Sequence, residues 1–298
     1  MEADMEIRTL RYFMAVANEE NITRAAEYLH VSQPTLSRQL MELEEEFGET
    51  LLIRGKRKVA LTDKGILLRS RAQEILDLVD KTVSDMSDDS KHIGGTIHFG
   101  AGETDGVRLI MKTAAELQAD HPDIHYNFFS GDATSVVDHL DKGLIDFGLV
   151  FGSYDRNKYY IMDLPYEDSW CVLMRSDDPL SEKDSITADD LIDKPLILSR
   201  QSTEEGVIQT WLGHDLIDLN IFCIYNLILN ASKIVSEGLG YALALEALIP
   251  VDGLSGLTSR PIKPAITDRL RIIWKKNQVL TPAAELFLQK LRDNYCSI

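Results

Sequence analysis

The chain has 298 residues, a net charge of −17 and 44% hydrophobic residues, enough for two or three compact units of ordinary globular composition. It contains no run of about 18 apolar residues, so no membrane-spanning helix is expected, and its acidic start, Met1-Glu2-Ala3-Asp4-Met5-Glu6, does not read as a signal peptide. Cys171, Cys223 and Cys296 are odd in number and widely spaced, which fits a reducing cytoplasm rather than a disulfide framework. No metal or other cofactor is expected.

The first informative stretch is Thr23 to Leu43. Ala25, Ala26 and Leu29 have the spacing of a short helix's inner face, and the two alanines are small enough for a second helix to cross close by. His30-Val31 reads as the turn. Ser32 is a good N-cap, and Gln33-Pro34 opens the second helix, where proline's missing N–H costs nothing. Leu36, Leu40 and Leu43 share the inner face. Gln33, Pro34, Thr35, Ser37 and Arg38 are left to face out, and their short polar groups with one arginine form a set that reads base edges in a major groove. This is a helix-turn-helix.

Arg54, Lys56, Arg57 and Lys58 put four cations into five residues around Gly55, between the apolar stretches Leu51-Ile53 and Val59-Leu61. That pattern is a hairpin tip, and its position after a helix-turn-helix points to phosphate contacts. Ser32 and Thr62 join these four as expected backbone contacts. The acidic residues Glu42, Glu44, Glu45, Glu46 and Glu49 are expected to point away from the duplex. The acidic excess of the whole chain should oppose non-specific binding.

A long helix follows from Thr62-Asp63. Leu68, Ala72, Ile75, Val79, Thr82 and Met86 alternate four and three apart, a heptad seam that needs a partner. The helix dissolves into the polar hinge Ser84-Asp85-Met86-Ser87-Asp88-Asp89-Ser90. From Gly94 the pattern becomes strands and helices in alternation: strands at Thr96-Gly100, Ile124-Phe129 and Phe147-Phe151, with helices at about 105–119 and 134–142. Further strands are expected at Trp170-Met174, Leu196-Leu198, Phe222-Ile224, Tyr241-Ala244 and Arg269-Trp274, and a closing helix at about 281–294. That order predicts an α/β domain with a largely parallel sheet.

These pieces resemble the LysR-type transcriptional regulators. Leu10-Arg11-Tyr12-Phe13, Asn21 to Ala26, Val31 to Ser37, Leu43 to Arg54 and Leu61-Thr62-Asp63-Lys64-Gly65 match that family's N-terminal domain in order and spacing. Leu140 to Leu149 and Val235 to Leu243 match patterns of its effector domain. The resemblance implies an N-terminal winged helix-turn-helix, mostly α, then a long linker helix, then an α/β two-lobed effector domain with a periplasmic-binding-protein-like fold. The expected division is 1–62, 63–90 and 91–298, with lobe I at about 91–164 and 265–298 and lobe II at about 165–264. Crossovers are expected near Leu164-Pro165-Tyr166 and Ile262-Lys263-Pro264-Ala265.

The implied function is a cytoplasmic, sequence-specific, DNA-binding transcriptional regulator responsive to a small-molecule effector. The implied partners are double-stranded DNA carrying an interrupted inverted repeat and further copies of the chain, as a homodimer through Leu68, Ala72, Ile75, Val79 and Met86 or as a homotetramer. In such folds ligands bind between the lobes, beyond the carboxyl ends of strands. That places Gly102, Glu103, Thr104, Ser130, Asp132, Thr134 and Phe151 from one lobe, and Ser199, Arg200, Gln201 and Ser202 from the other, as effector contacts. Arg200 could pair with one carboxylate, and the balance of charge suggests a small neutral, zwitterionic or monocarboxylate effector. The alternative is a cytoplasmic solute-binding or enzymatic α/β protein whose N-terminal helices only dimerise. Against an enzyme, no Gly-x-Ser-x-Gly or P-loop is present, and Gly100-Ala101-Gly102-Glu103-Thr104-Asp105 lacks the third glycine of a dinucleotide site.

Overall fold

The computed structural model describes residues 5–55, 58–86, 93–204, 206–248 and 256–295. The chain forms two compact units, Met1–Ser87 and Asp88–Ile298. Among the described residues no helix is long and apolar enough to cross a membrane.

The first unit contains α1 (Ile7–Glu19), α2 (Ile22–Tyr28), α3 (Gln33–Phe47), β1 (Leu52–Arg54), β2 (Val59–Leu61) and α4 (Asp63–Met86). Its helix starts follow from local chemistry. Asn21 Oδ1 accepts from the backbone N–H of Thr23 at 2.9 Å and of Arg24 at 3.1 Å, satisfying donors that α2 would otherwise leave orphaned. Ser32 does the same for α3 through Thr35 N at 3.3 Å. The turn between them uses His30 with φ +54°. Leu10, Phe13, Ala25, Leu36, Leu40 and Leu43 are buried together, and Ala72 and Leu76 of α4 join the same cluster. Gly65 lets α4 start hard against the wing: a Cβ there would lie 2.2 Å from the Leu51 carbonyl oxygen.

Residues 63–86, read in sequence as a linker apart from the N-terminal domain, pack with it. Arg69 of α4 donates to the Asn18 side chain of α1 at 3.0 Å. The expected seam divides. Ala72 is fully buried and Leu68 packs on the same core, Val79 is half-buried, and Ile75 and Met86 are exposed. At 3.6 residues per turn, Leu68, Ala72 and Leu76 line the face toward α1. Ile75 falls instead on an exposed stripe with Leu67 and Leu78.

The second unit contains β3 (Gly95–Ala101), α5 (Val107–Asp120), β4 (Ile124–Ser130), α6 (Ala133–Asp141), β5 (Phe147–Val150), β6 (Tyr159–Arg175), β7 (Ile186–Thr187), β8 (Leu196–Ser199), α7 (Arg200–Glu204), α8 (Val207–Leu212), β9 (Ile221–Tyr225), α9 (Ile228–Ser236), β10 (Tyr241–Leu245), β11 (Leu257–Lys263), β12 (Thr267–Lys275) and α10 (Pro282–Tyr295). Strand order is β4-β3-β5-β12-β6-β10-β8-β9, with β11 also on β6 and β7 on β11. β4-β3-β5, β10-β8-β9 and β11-β7 are parallel pairings, whereas β12 pairs antiparallel with β5 and β6, and β6 antiparallel with β10 and β11. The sheet is therefore mixed.

The two lobes share β6. From Tyr159 to Ser169 it pairs with β12, and from Trp170 to Leu173 with β10. The first crossover thus lies at Ser169-Trp170, further along than the Leu164-Pro165-Tyr166 expected from sequence. Pro165 misled because proline rarely sits inside a strand. Here the ladder shifts register between Arg269 and Arg271, opposite it, and a bulge tolerates a residue without an N–H. The return passes through 264–266, between β11 and β12. Lobe I closes over an aromatic core of Phe99, Phe147, Phe287 and Trp274, and lobe II over Val172, Leu196, Leu198, Trp211 and Leu243. Gly238, at φ +74°, ends α9 and turns the chain toward β10.

Candidate DNA interface and effector cleft

The start of α3 is a polar outcrop. Ser32, Gln33, Pro34, Thr35 and Arg38 are exposed and Ser37 is half-buried, while Leu36 and Leu40 point into the core. Arg38 Nε donates to Glu42 Oε1 at 2.8 Å, one turn on. Glu42, expected to point away from the duplex, therefore lies on the same face of α3 as Arg38.

The wing carries a second correction. Arg54 Nη2 lies 2.9 Å from Glu44 Oε2, and the other oxygen of Glu44 accepts from the N–H of Leu51 at 2.8 Å and of Leu52 at 2.9 Å. Glu44 fastens the wing to α3. Lys58 pairs with Glu20, and that hydrogen bond and charge hold the Glu20 carboxyl below its ordinary value. Two of the four wing cations thus face carboxylates within the unit, and Lys56 and Arg57 lie outside the described residues. Thr62, expected on a phosphate, donates instead to the Thr50 carbonyl at 2.7 Å and caps α4 through Gly65 N at 3.0 Å.

Between the lobes of the second unit lies a cavity of about 310 Å³. Seven residues expected there line it: Gly102, Glu103, Asp132, Phe151, Ser199, Gln201 and Ser202. The other four do not. Thr104 is buried and its hydroxyl donates to Asp168 Oδ2 at 2.7 Å. Thr134 is exposed on the first turn of α6, and Ser130 lies on a neighbouring shallow cleft. Arg200 is engaged by Asp132. Sequence reading had made Arg200 a clamp for the ligand, but its guanidinium instead ties lobe II to lobe I.

A second tie runs the same way. The Glu103 carboxylate of lobe I accepts from the backbone N–H of Ile228, at the start of α9 in lobe II. Asp132 also accepts from Ser135 N at 3.0 Å and Ser135 Oγ at 2.6 Å. Burial would raise its carboxyl, but the bonds from Arg200 and Ser135 outweigh that and hold it below its ordinary value.

Sequence reasoning missed much of the remaining wall. Trp170, Ile266, Thr267 and Asp268 reach the cavity from the crossovers, and Tyr225, Asn226 and Ile228 from the end of β9 onward. Asp168 and Asp268 are Cα partners on β6 and β12. Burial pushes both carboxyls above the ordinary carboxylate range. A strand-end signal existed for Tyr225 and Asn226, since they follow an expected strand. No signal marked Asp268, because its place depends on which strand β12 joins. No group of three metal-ligating side chains occurs among the described residues. His121 and His125 have a metal-pair spacing, yet α5 ends at Asp120 and β4 begins at Ile124, so no helix carries both.

A winged helix-turn-helix in one unit and a two-lobed α/β unit with an interlobe cavity define a class of ligand-responsive transcriptional regulators. Residues 90–296 match the family described as LysR substrate binding domain, and residues 7–66 match the bacterial regulatory helix-turn-helix proteins of the lysR family. The chain belongs to the LysR family of transcriptional regulators. It is 30% identical over 308 residues to the Hca operon transcriptional activator HcaR of Escherichia coli (strain K12), covering 99% of both chains. It is 29% identical over 293 residues to the transcriptional regulator BsdA of Bacillus subtilis (strain 168), covering 95% of this chain and 99% of that one. The solved structure of CbnR, a LysR family regulator, has a TM-score of 0.74 at 19% identity, over 98% of this chain and 99% of that one. Full-length BenM has a TM-score of 0.55 at 26% identity, over 98% and 97%. The alternative of a solute-binding or enzymatic protein whose N-terminal helices only mediate dimerisation falls with these relatives.

Proposed function

We propose that this regulator reads DNA with Gln33, Pro34, Thr35, Ser37 and Arg38, holds the backbone with Ser32 and the wing, and answers to a small molecule bound between the lobes. It works in the cytoplasm, where its DNA is. The observation that carries the effector reading is the interlobe cavity, whose wall draws on both lobes and whose rim is tied by Arg200–Asp132 and Glu103–Ile228. A ligand that spans such a wall favours one lobe arrangement, and it shifts the protein by no more than its differential affinity for the two. At about 310 Å³ the cavity is at the small end of ligand sites.

The exposed stripe Leu67, Ile75 and Leu78 on α4 supports a homodimer, and two such dimers a homotetramer. A two-fold dimer calls for an interrupted inverted repeat in its operator. CbnR has been crystallised with its target DNA, and the same mode is proposed here. Three measurements test the reading. A gel-shift assay with the DNA upstream of the protein's own gene should show a specific complex. A thermal-shift screen of small metabolites should find one that raises the melting temperature and changes that complex. Absence of any specific complex would sink the DNA assignment. Ile75→Glu should dissociate the dimer in sedimentation, and a monomeric parent chain would remove the dimer.

A further inference from the structure

The interlobe cavity has a charge pattern that selects its ligand. Asp168 on β6 faces Asp268 on β12 in antiparallel register, and like charges directly opposite one another repel. Asp168 is 2% exposed and accepts from Thr104 Oγ1 at 2.7 Å and Tyr166 Oη at 2.8 Å. Asp268 lines the cavity. One step along the same face of the ladder come Trp170 and Ile266, joined by Trp170 N–H donating to the Ile266 carbonyl at 3.0 Å, and both also line the cavity. A carboxylate pair thus adjoins an aromatic and aliphatic pair.

The surrounding cations do not neutralise this floor. Arg271 Nη1 is 3.8 Å from Asp268, but its Nε lies 2.9 Å from Asp163, and Nη1 donates to the Gly152 carbonyl at 2.6 Å. One guanidinium serves Asp163 and Asp268, Asp268 otherwise has backbone N–H donors at Gly152 and Arg269, and among the described residues Asp168 has hydroxyl donors. Higher on the wall, Asp132 has already taken Arg200 and Glu103 accepts from Ile228. Among the described residues, those lining the cavity include Glu103, Asp132 and Asp268 and no lysine, arginine or histidine. An anion entering here would lose its water and meet only carboxylates and neutral groups, which is costly in a low-dielectric site.

Resting on the effector reading above, we infer that the ligand of this cavity is a small organic cation, an ammonium on an apolar or aromatic body, with the ammonium against Asp268 and the body against Trp170 and Ile266. The ammonium relieves the repulsion between Asp168 and Asp268, and the apolar body is buried against Trp170 and Ile266. The volume of about 310 Å³, at the small end of ligand sites, accommodates a single ring or a short chain.

The test uses the full chain and three probes of matched size: phenethylamine, 2-phenylethanol and phenylacetate. Thermal melting and tryptophan fluorescence are followed at millimolar probe. Phenethylamine should raise the melting temperature in a saturable way and quench fluorescence, and Trp170→Phe should remove the quenching. The alcohol should act at least tenfold more weakly and phenylacetate not at all. Asp268→Asn should weaken phenethylamine at least tenfold while itself melting no lower than the parent, since it removes one of two opposed charges. Stabilisation by phenylacetate equal to or above that of the amine, an undiminished amine effect in Asp268→Asn, or no response to the amine each overturns the inference. None of these results removes the interlobe effector site, which the metabolite screen decides without reference to charge.

Discussion

The reading head and the effector domain use the same contact, arginine against carboxylate, in opposite surroundings. Arg38 and Glu42 on α3 have side chains 77% and 46% exposed. Arg200 and Asp132 between the lobes are 48% and 4% exposed. An exposed pair is worth about 0–1 kcal/mol and is screened by salt, so Arg38 can leave Glu42 for a base at little cost. A carboxylate buried like Asp132 cannot lose its partner so cheaply, because it would stay desolvated and unpaired. Arg38 in the head is therefore exchangeable, and Asp132 in the effector domain is committed. Identical chemistry thus leaves a cation free to exchange on one unit and ties two lobes together on the other.

The largest effect that would test this contrast is on DNA. Arg38→Ala should cost about 1–3 kcal/mol of affinity for the specific operator and leave melting within about 0.5 kcal/mol, read by gel shift and by chemical denaturation. An equal loss on random DNA would show that Arg38 does not read sequence. Arg200→Ala should do the reverse. We expect the effector domain to lose stability, by less than for a fully buried pair because Arg200 is half in water, with operator affinity in the absence of ligand unchanged. If Asp132→Asn rescues that loss, the unpaired carboxylate is its cause.

Acidity separates the two units next. Asp168 and Asp268 are raised by burial, so their ionised forms oppose folding at neutral pH. Lowering the pH through their raised values should therefore stabilise the effector domain, and Asp268→Asn should flatten that rise. Asp132, held below its ordinary value of 3.8 by Arg200 and Ser135 against its burial, contributes stability that is present above 3.8 and lost as pH falls through its lower folded value. A melting curve against pH with a maximum on the acid side of neutral is the expected result, and a monotonic fall from neutral would contradict it. The smallest effect is Glu42→Gln, which should raise affinity for any DNA by under about 1 kcal/mol, because it removes a charge beside Arg38. No change in Kd at low salt would mean that Glu42 lies off the DNA path.

What could be read in the sequence follows the range of the forces involved. The helix-turn-helix was legible because Asn21, Ser32, Pro34 and the leucines at 36, 40 and 43 act within one or two turns of themselves. The strands of both lobes were legible where apolar runs were bounded by turn residues, as at 124–130 and 241–245. The first half of β6 was not, since Pro165 broke its pattern and its partner lies about a hundred residues on. The same distance hid Trp170 and Asp268, which meet at the cavity only once β6 and β12 have paired. Thr104, Thr62 and Arg200 show another limit. Each was placed in the right neighbourhood, yet its polar group was claimed by a partner remote in sequence, namely Asp168, Thr50 and Asp132.

The shared strand has a consequence for how the protein is made. Lobe I needs β12 and α10, which come after all of lobe II in the chain, and β12 lies between β5 and β6 in the sheet. At about 5–20 residues per second of synthesis, β5 waits roughly 6–23 s for its neighbour. During that interval its backbone edge is open, and so is the facing edge of β6. The reading head has no such debt, because its core is complete once α4 has emerged. A ribosome that stalls within lobe II would therefore release a finished head attached to an unfinished sheet, able to occupy DNA and unable to answer to a ligand. Quality control of this chain has most to do in the last stretch of its translation, when β12 closes two open edges in one event.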